Sequence, residues 1–480
     1  MIFARSIEGR RNGAQLVPPG EPQADDIPEN LRRTEALPLP ALSELQVVRH
    51  YTKLSQQNFS IDTHFYPLGS CTMKYNPRGC HQLAMLPQLI GRHPLAPVAT
   101  HGQGVLASLF HLQEILQQLT GMVGCSLTPM AGAQGEFAGI AMIRAYHQAR
   151  GDAARCEILV PDAAHGTNPA TAVMCGYKVR EIPSNSDGDV DLDALAAALG
   201  PQTAGIMLTN PSTLGVFERR IETIATMVHQ AGGLLYYDGA NLNAIVGRVK
   251  PGAMGFDVVH LNMHKTFSTP HGGGGPGAGP VVVGARLLPF LPLPRVVADQ
   301  GQFRWLSEAE APQSIGRLSA NMGNIGVLLR AYIYALMLGR QGMTRVAAYA
   351  TLNANYLQTQ LRQAGFELAF ANRRATHEFI ITLRSEAKSY GISTMDFAKR
   401  LLDYGFHAPT TYFPLLVAEC LLIEPTESED KATLDLFVAA MCAIREEAML
   451  QPALLQQAPH TLPVRRLDDV RAAREPDLAA

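Results

Sequence analysis

The sequence predicts an α/β protein, with a mostly parallel central sheet in a large domain and a smaller C-terminal α/β domain. From about residue 100 onward, short apolar segments alternate with helical ones, which is typical of β-α repetition. Most of the apolar segments end in a polar or glycine-containing turn, as buried strands of an open sheet do. A change of composition near residues 292–297 is followed by a helical stretch and a second, shorter α/β pattern.

The length of 480 residues suits more than one domain, and we predict four segments. Residues 1–95 comprise an N-terminal arm, rich in proline and charge to about residue 45, and a polar segment around residues 66–77. Residues 96–329 form the large domain and residues 330–455 the small C-terminal domain. Residues 456–480 form a polar tail, which we expect to be loosely ordered.

The strands and helices are predicted from apolar pattern and turn residues. In the large domain the predicted strands are ARCEILVP, GYKVREIP, TAGIMLTNP, GGLLYYDGA, DVVHLN and GPVVVG. The helical stretch GNIGVLLRAYIYALMLGRQG leads into the small domain. There HEFIITLR is predicted to be a strand, and TMDFAKRLLDYG is predicted to be an amphipathic helix ended by Gly405.

Composition argues against several classes of protein. A net charge of -2 with 17% charged residues gives no electrostatic reason to expect nucleic acid or an anionic membrane as a partner. The seven cysteines include no C-x-x-C pair, which favours a reduced, cytoplasmic location. The apolar run in MIFARSIEGRRNGAQ is too short for a signal peptide, and Arg330 interrupts the most apolar long stretch, so no membrane span is predicted.

A small-residue turn at residues 131–135 precedes a helical pattern in TPMAGAQGEFAGIAMIRAYHQ. Such a turn presents free backbone N–H groups and the positive end of a helix dipole to an anion, so it predicts a phosphate site. Taken alone, the stretch is more simply interpreted as an ordinary glycine-containing turn. It matches neither the G-x-x-x-x-G-K-[ST] loop of nucleotide-binding proteins nor the G-x-G-x-x-G of dinucleotide folds.

Two further strand ends carry residues suited to a flat ligand. His165 follows ILVP, where its ring could stack on a planar group, although a hydrogen-bonded loop histidine is the simpler interpretation. Asp238 ends the apolar run GGLLYY, and a carboxylate there needs a cationic or hydrogen-bonded partner. A protonated pyridine nitrogen would be such a partner, whereas metal binding and helix capping are the alternatives. Ala240 leaves a featureless surface on which a ring could rest.

Lys265 stands just after the predicted strand DVVHLN, close to Asp238 if the two strands are neighbours. A desolvated lysine loses its proton readily and forms Schiff bases. His260 and His264 have the i, i+4 spacing of metal ligands on a helix, but DVVHLN reads as a strand and no H-E-x-x-H glutamate is present, so we predict no metal site. The run GGGGPGAGP lacks a following Lys-Ser/Thr and is predicted to be a flexible or closely approached loop beside the lysine.

The order of these features is more specific than any of them singly. An anion site, a stacking histidine, a strand-end aspartate and a strand-end lysine meet the needs of the phosphate, ring face, ring nitrogen and aldehyde of pyridoxal phosphate. The sequence therefore predicts pyridoxal 5'-phosphate bound covalently to Lys265.

At this point a family resemblance becomes evident. The chain resembles the fold-type-I pyridoxal-phosphate enzymes, and closely the subunit 2 (β subunit) family of two-subunit glycine dehydrogenases (decarboxylating), the P proteins of the glycine cleavage system. The matching stretches extend from the N-terminal arm to about residue 440. They include YPLGSCTMKYNP, AGAQGEFAG, PDAAHGTNPATA, LTNPSTLG, YYDGANLNA, GFDVVHLNMHKTFSTPHGGGGPGAGP, THEFI, DYGFHAPTTYFPL and IEPTE.

The resemblance implies a role for each matching position. Lys265 would carry the cofactor, Asp238 would keep the pyridine nitrogen protonated, and His165 would stack on the ring. The phosphate would be bound by Gly132, Ala133 and Gln134, assisted by Asn262, His264 or Thr266. Gln134 is a departure, because histidine also occurs there in the motif. Thr209 could hydrogen-bond the phenolic oxygen.

The resemblance also implies a reaction and partners. Glycine would be decarboxylated and its aminomethyl group transferred to the lipoyl disulfide of the H protein, with release of CO2. The chain is about half the length of a single-chain P protein, so we expect a homologous α subunit (subunit 1) in an α2β2 assembly. The alternatives are another fold-type-I decarboxylase or lyase and a non-catalytic scaffold subunit. GSCTMKYNP would lie near the active site, with Cys71, His377 and Arg317 as further candidates for thiol, substrate or carboxylate contacts.

Overall fold

The computed structural model describes residues 2–8, 10, 27–35, 37–271 and 277–476. Much of the predicted N-terminal arm, the glycines of the GGGGP run and the end of the predicted tail lie outside these ranges. The chain divides into two compact units, one made of residues 1–60 with 459–480 and the other of residues 61–458. The four predicted segment boundaries remain predictions.

The strands of the described chain form a large sheet, a small sheet and a hairpin. In chain order the strands are β1 Gly124–Ser126, β2 Glu157–Pro161, β3 Lys178–Ile182, β4 Thr203–Leu208, β5 Leu234–Gly239, β6 Val258–Leu261, β7 Val281–Val283, β8 Val296–Asp299, β9 Gln302–Trp305, β10 Glu367–Leu368, β11 Phe379–Thr382, β12 Thr410–Thr411 and β13 Cys420–Ile423. Each of the strands predicted from apolar pattern is confirmed, whereas β1, β8, β9, β10, β12 and β13 are not among the predicted strands.

The large sheet has the order β1-β7-β6-β5-β4-β2-β3. Strands β6, β5, β4, β2 and β3 pair in parallel, and β7 is antiparallel to both of its neighbours. The predicted adjacency of the Asp238 and Lys265 strands is confirmed, because β5 pairs with β6 and places Asp238 opposite His260. Parallel strands carry their carboxyl ends to one edge, which is where ligands bind in open α/β sheets.

The central strands are apolar without a break because helices cover both faces of the sheet. In β5, Tyr237 packs into one apolar cluster and Tyr236 into the cluster on the opposite face, and both side chains are fully buried. Asp238 is the first charged residue of this strand and stands at its carboxyl end. A buried carboxylate at that position is held by polar contacts made beyond the strand.

The described chain contains fourteen α-helices. They are α1 Glu44–Gln56, α2 Arg78–Ala84, α3 Pro87–Ile90, α4 Gln103–Thr120, α5 Gly132–Ala149, α6 Thr167–Met174, α7 Leu192–Ala198, α8 Ile221–Gln230, α9 Ile325–Gln363, α10 Arg384–Tyr390, α11 Thr394–Asp403, α12 Lys431–Leu450, α13 Pro452–Gln456 and α14 Asp469–Arg474. Shorter helical turns occupy Phe3–Arg5, Glu29–Leu31, Val98–Gly102, Pro251–Met254 and Leu288–Phe290.

Helix α9 joins the two cores. It is interrupted at Gly339, whose φ of 58° lies in the left-handed region that glycine tolerates. Residues such as Leu328 pack beneath the large sheet, whereas Leu357 and Leu361 pack into a second core with the small sheet. The small sheet is antiparallel with the order β10-β11-β13-β12. Helix α11 ends as predicted, with Gly405 at φ 81° two residues beyond Asp403.

The segment before the large sheet contains more helix than the sequence pattern indicated. Helices α1, α2 and α3 were not predicted, and α1 begins with a capping box made by Ser43 and Gln46. Residues 66–77 form neither a helix nor a named strand, in agreement with their punctuated sequence, and Leu68 makes an isolated bridge to Ile423 in the small sheet. Nowhere in the described residues is a helix long and apolar enough to cross a membrane.

Candidate active site

A cavity of about 620 Å3 lies at the carboxyl edge of the parallel strands. Nine of the predicted site residues line it together: Gly132, Ala133, His165, Thr209, Asp238, Ala240, Asn262, His264 and Lys265. Each of them follows or ends a strand or opens a helix, because the chain turns at this edge before returning on the far side of the sheet. The structure therefore brings together residues that lie as far apart in the sequence as Gly132 and Lys265.

The first turn of α5 points its backbone toward the cavity. Ala131 is the N-cap and offers no side-chain acceptor, so the N–H groups of the first turn stay available to an anion. Gly132 leaves room for Asn262 there, since a Cβ on it would lie 2.5 Å from Asn262 Oδ1 and would force the Asn262 side chain or the backbone to shift. The turn thus combines free donors with close access, as a phosphate site needs.

Two of the side chains predicted to contact the phosphate form hydrogen bonds to backbone groups of the protein. Gln134 accepts a hydrogen bond from the Met130 N–H at 2.7 Å and donates to the Leu318 carbonyl at 3.0 Å, outside the cavity lining. The Thr266 hydroxyl accepts a hydrogen bond from the Leu242 N–H at 2.8 Å and joins the loops that follow β5 and β6. Both side chains brace the backbone around the cavity.

Asp238 belongs to a polar network, of which the sequence predicts only some members. Its carboxylate accepts hydrogen bonds from Asn168 Nδ2 and from the Ala240 N–H, each at 3.1 Å. Asn168 Nδ2 also donates to Glu136 at 2.9 Å, so one amide joins two buried carboxyl groups. His260 Nε2 lies 3.6 Å from Asp238 Oδ1, and its Nδ1 is 2.5 Å from the Tyr236 hydroxyl.

The surroundings shift the pKa values of the two carboxyl groups of this network in opposite directions. Burial alone would raise the pKa of Asp238, but His260, the Asn168 amide and Lys265 outweigh it and hold the pKa below its usual value. Burial and the neighbouring Asp238 charge raise the pKa of Glu136 to about 7. At neutral pH Asp238 is therefore ionised, whereas Glu136, which also lines the cavity, is only partly ionised.

His165 is positioned by α6, which begins two residues after it, at Thr167. Its Nδ1 bonds the Thr167 hydroxyl at 2.8 Å, and its ring meets Phe413 edge-on at 5.7 Å. Burial lowers the pKa of His165, so the ring is neutral at pH 7. A neutral ring fixed at one edge leaves a face for an aromatic ligand.

A buried lysine, Lys74, fixes the backbone around Lys265, whose own side chain is half-buried. Lys74, from the 66–77 segment, donates to the Thr266 carbonyl at 2.8 Å and pairs with Glu427 at 2.6 Å. Within the described ranges, no hydrogen bond joins the Lys265 ammonium to another side chain. Burial, and then charge from neighbouring groups that include Lys265, lower the pKa of His264 to about 3 and of His271 to about 4.

The 66–77 segment supplies one wall of the cavity. Gly69, Ser70 and Cys71 line it, opposite the residues of the large sheet. Burial raises the pKa of Cys71, so this residue is a thiol rather than a reactive thiolate at neutral pH. His377 also lines the cavity, whereas Arg317 lies outside the lining and pairs with Glu308 at the surface.

Several residues of the site were not singled out by the sequence analysis. They are Glu136, Asn168, His271, Glu378, Phe413 and Glu424. Glu378 lies in THEFI and Glu424 lies in IEPTE, two stretches that only the family resemblance marks. No local pattern marks Asn168, because its importance depends on which carboxylates the fold brings beside it.

The residues present fit pyridoxal phosphate. Beyond the free donors of α5 and the Asp238 charge, buried polar atoms at the cavity have no hydrogen-bond partner among the described residues. They are Thr209 Oγ1, Asn262 Oδ1, His264 Nδ1, His271 Nε2 and His377 Nε2. Unpaired buried polar atoms are costly in a folded chain, so their concentration here indicates a polar ligand.

Comparisons with family models cover nearly the whole chain. A model described as "Glycine cleavage system P-protein" matches residues 21–402, and one described as "Glycine dehydrogenase, C-terminal domain" matches residues 346–460.

Named relatives and solved structures agree with these models. A protein of Thiobacillus denitrificans named "Probable glycine dehydrogenase (decarboxylating) subunit 2" is 69% identical over all of this chain and 99% of its own length. A protein of the same name from Methylococcus capsulatus is 66% identical over all of this chain and 98% of its own length. A crystal structure of glycine decarboxylase (P-protein) of the glycine cleavage system, in inhibitor-bound form, is 21% identical with a TM-score of 0.73, over 88% of this chain and 94% of that one.

A NifS-like protein shares the fold at 14% identity, with a TM-score of 0.62 over 80% of this chain and 99% of that one. These likenesses confirm the predicted fold-type-I class.

Proposed function

The chain belongs to the glycine cleavage system P-protein family, and we infer from this membership that it decarboxylates glycine as subunit 2 of the glycine dehydrogenase of that system. One structural observation supports the inference most strongly. The α5 N-terminus, His165, Asp238 and Lys265 converge on a single cavity although they come from four separate parts of the sequence. This convergence is what a cofactor with a phosphate, a ring and an aldehyde requires.

The family and its fold-type-I neighbours imply pyridoxal phosphate as the cofactor. Bound in this cavity, it supplies an electron sink for the electron pair left on glycine when CO2 departs. We assign its covalent attachment to Lys265 and its phosphate to the free N–H groups at Gly132 and Ala133. Thr209 and Asn262 offer the unpaired Oγ1 and Oδ1 atoms for its remaining polar groups.

The residues of the chain each perform a physical task in this reaction. Asp238, ionised and buried, holds a proton on the ring nitrogen, because two opposite charges are stabilised where water is excluded. His165 covers one face of the ring with a neutral imidazole. Lys74 holds the backbone at Thr266, which limits the movement of the neighbouring Lys265.

The aminomethyl group left after decarboxylation passes to the lipoyl disulfide of an H protein. We also propose that the chain acts with a homologous subunit 1 in an α2β2 assembly in the cytoplasm. The "subunit 2" in the names of the relatives supports a companion subunit. A decarboxylase or lyase for another amino acid and a non-catalytic scaffold are the competing functions, and the presence of both Lys265 and Asp238 disfavours the scaffold.

The cofactor assignment is tested on the purified protein by visible absorption, borohydride reduction and mapping of the tagged lysine. We expect a coloured protein tagged on Lys265 and a colourless Lys265→Ala variant. A tag on Lys74, a buried lysine whose ammonium contacts the backbone next to Lys265, would contradict the assignment.

The substrate is tested by turnover of the protein with its companion subunit and lipoylated H protein. We expect release of CO2 from glycine and not from larger amino acids. Release from another amino acid in preference to glycine would favour the competing lyase or decarboxylase.

A further inference from the structure

Three motifs that the cofactor does not explain meet on one wall of the cavity. They are GSCTMKYNP, THEFI and IEPTE. Glu378 directly precedes β11 and Glu424 directly follows β13, and these strands pair in an antiparallel register that sets Phe379 opposite Ile423. The two glutamates are therefore opposite each other at the end of the small sheet. Glu378 lines the cavity, with Glu424 beside it.

The two carboxyl groups are too close together and too deeply buried from water for both to be ionised. Glu378 is 3% exposed and Glu424 is fully buried, and an oxygen of each lies within 4.8 Å of the other and of a ring nitrogen of His377. Like charges directly opposite each other across strands are destabilising, and a carboxyl pair in such a site shares a proton. One of the two glutamates must hold that proton.

Hydrogen bonding places the proton on Glu378. Glu424 accepts from the Thr72 N–H at 3.1 Å, the Thr72 hydroxyl at 2.8 Å and Asn241 Nδ2 at 3.0 Å. Glu378 accepts only from the Ser70 N–H, at 2.6 Å, among the described residues. Donors stabilise the ionised form, so three donors against one favour the anion at Glu424.

The titratable groups around the pair are consistent with this placement. Burial, followed by the nearby Glu424 charge, raises the pKa of Glu378 well above its usual value, and burial raises the pKa of Glu424 to about 7. Lys265 faces both glutamates from the large sheet, and Cys71 faces them as a thiol. Burial, then Lys265, lowers the pKa of His377 to about 3, so its ring is neutral.

The proposed reaction consumes a proton at a defined step. The bond from Cα to the carboxylate breaks, CO2 leaves, and Cα keeps the electron pair. That pair forms a C–S bond to one sulfur of the acceptor disulfide, the S–S bond breaks, and the second sulfur departs as a thiolate. The thiolate becomes a thiol only when a proton reaches it.

We propose that Glu378 is a catalytic acid that gives its proton to the departing thiolate, with Glu424 as the positioning carboxylate that keeps the proton on Glu378. The proposal rests on the proposed function, because it needs a disulfide acceptor in the cavity. After the transfer Glu378 is a carboxylate, and water entering the open cavity returns the proton before the next turnover. The balance requires no reactant beyond glycine, the disulfide and one proton.

The first test is Glu378→Gln in the protein assembled with its companion subunit. Glutamine keeps an oxygen for the Ser70 N–H but has no acidic proton. In a single turnover with labelled glycine and lipoamide, we expect aminomethyl transfer to slow about 100-fold or more, the range for loss of a general acid. Visible absorption and the borohydride tag on Lys265 should stay as in the wild type, which shows that the cavity is intact.

An acceptor disulfide with a different leaving group distinguishes a catalytic role of Glu378 from a structural one. The disulfide 5,5'-dithiobis(2-nitrobenzoate) releases an aromatic thiolate that is stable without a proton. We expect Glu378→Gln to equal the wild type with this acceptor and to be slow only with lipoamide. Equal slowing with both acceptors would overturn the proposal in favour of a structural role, and equal rates with lipoamide would overturn it in favour of Lys265 as the donor.

The pH dependence tests the part assigned to Glu424. Transfer to lipoamide needs protonated Glu378, so its rate should fall as pH rises through the pKa of that group. Glu424→Gln removes the charge that helps to raise this pKa, so the fall should move to lower pH. An unmoved profile would overturn the assignment of Glu424. The matched control is Glu386→Gln, a buried glutamate outside the cavity, which should leave rate and profile unchanged.

The same experiments distinguish failure of this proposal from failure of the proposed function. A wild-type protein that, with its companion subunit and lipoylated H protein, releases no CO2 from glycine would overturn the function, and this proposal with it. A wild-type protein that transfers normally, together with a Glu378→Gln variant of equal rate, would overturn only the role of Glu378.

Discussion

Asp238 shows how one residue acquires a role from its surroundings. Its carboxylate is 4% exposed and is held by Asn168 and the Ala240 N–H, with Lys265 and His260 nearby. These contacts keep the negative charge in a place where water cannot screen it. A charge of this kind controls a bound ring nitrogen more strongly than an exposed aspartate could.

We predict that Asp238→Asn lowers glycine turnover by about 100-fold or more, the scale of losing one preorganised electrostatic contact. The variant keeps the shape of the side chain but removes its charge, so the tag on Lys265 should remain. The measurement is decarboxylation rate together with borohydride mapping. Asp162→Asn, which changes a carboxylate bonded to Ser184 outside the cavity lining, should leave turnover unchanged. Normal turnover in Asp238→Asn would contradict the role of the charge.

Glu136 predicts a pH dependence of stability. Its pKa in the folded chain, about 7, lies above the ordinary value of 4.5, so the folded state favours the protonated form. Its contribution to stability is therefore complete below about pH 4.5 and is lost as pH rises to about 7. From that shift, the free energy of unfolding of Glu136→Gln should increase relative to that of the wild type by roughly 2–3 kcal/mol across the same pH window.

The measurement for Glu136 is the difference in melting temperature between variant and wild type, without added cofactor, from pH 4.5 to pH 7.5. The control is Glu446→Gln, which removes an exposed carboxyl of α12, and the difference for Glu136→Gln should vary with pH more than the control difference does. A constant difference for Glu136→Gln would show that Glu136 does not titrate in this range.

At the scale of elements, the first turn of α5 is the feature that most clearly depends on a single small residue. Gly132 lets Asn262 approach the helix N-terminus, and any Cβ there would meet the Asn262 amide. The helix dipole and free N–H groups are local properties, but access to them is set by the loop that follows β6.

We predict that Gly132→Ala weakens binding of pyridoxal phosphate at least about 10-fold, a cost of about 1.4 kcal/mol. The added methyl group displaces Asn262 or narrows the access to the α5 donors. Equilibrium titration of the cofactor gives the affinity. The control is Gly104→Ala in α4, where a Cβ meets no atom within 4 Å, and it should bind cofactor normally. Unchanged affinity in Gly132→Ala would argue against a phosphate site at this turn.

The small sheet contributes chemistry as well as packing. Its strands β11 and β13 pair so that Glu378 and Glu424 meet at their ends, and the 66–77 segment bonds to both glutamates through Ser70 and Thr72. The cavity therefore has one side built from the parallel sheet and another built from the antiparallel one. This arrangement explains why the C-terminal part of the chain matters for the site.

At the scale of the whole molecule, we predict that the chain functions only with a companion subunit. Light scattering of the co-purified subunits should give a mass equal to two copies of each chain, with 51.9 kDa from each copy of this one. Glycine decarboxylation should require both chains. A fully active monomer of this chain alone would refute the α2β2 proposal.

Much of the fold could be predicted from the sequence because its information is local. A strand buried on both faces is a short apolar run, and β2, β4, β5, β6 and β7 each have one, whereas β3 is a partly exposed edge strand with three charged residues. Strand β1 was missed because three residues, Gly124–Ser126, carry too little pattern, and α2 was missed because it lies within a segment punctuated by proline.

The site likewise contains residues that the sequence predicts and side chains whose contacts only the fold explains. Asp238 and Lys265 could be predicted because parallel strands carry their carboxyl ends to one edge, so residues after successive strands must be neighbours. The side chains of Gln134 and Thr266 were expected at the phosphate, and the structure instead places both in hydrogen bonds that brace the surrounding backbone. Side-chain direction depends on partners distant in sequence, which no local pattern encodes.

By itself, therefore, the sequence determined the fold class, the strand-end residues and the expectation of a pyridoxal-phosphate site. Only the tertiary structure decided that Asn168 joins Asp238 to Glu136 and that Glu378 meets Glu424 beneath the 66–77 segment. The physical reason is the separation in sequence of the residues that interact. Apolar periodicity is written in consecutive residues, whereas the charge state of a buried carboxyl group depends on every group that the fold brings within a few ångströms of it.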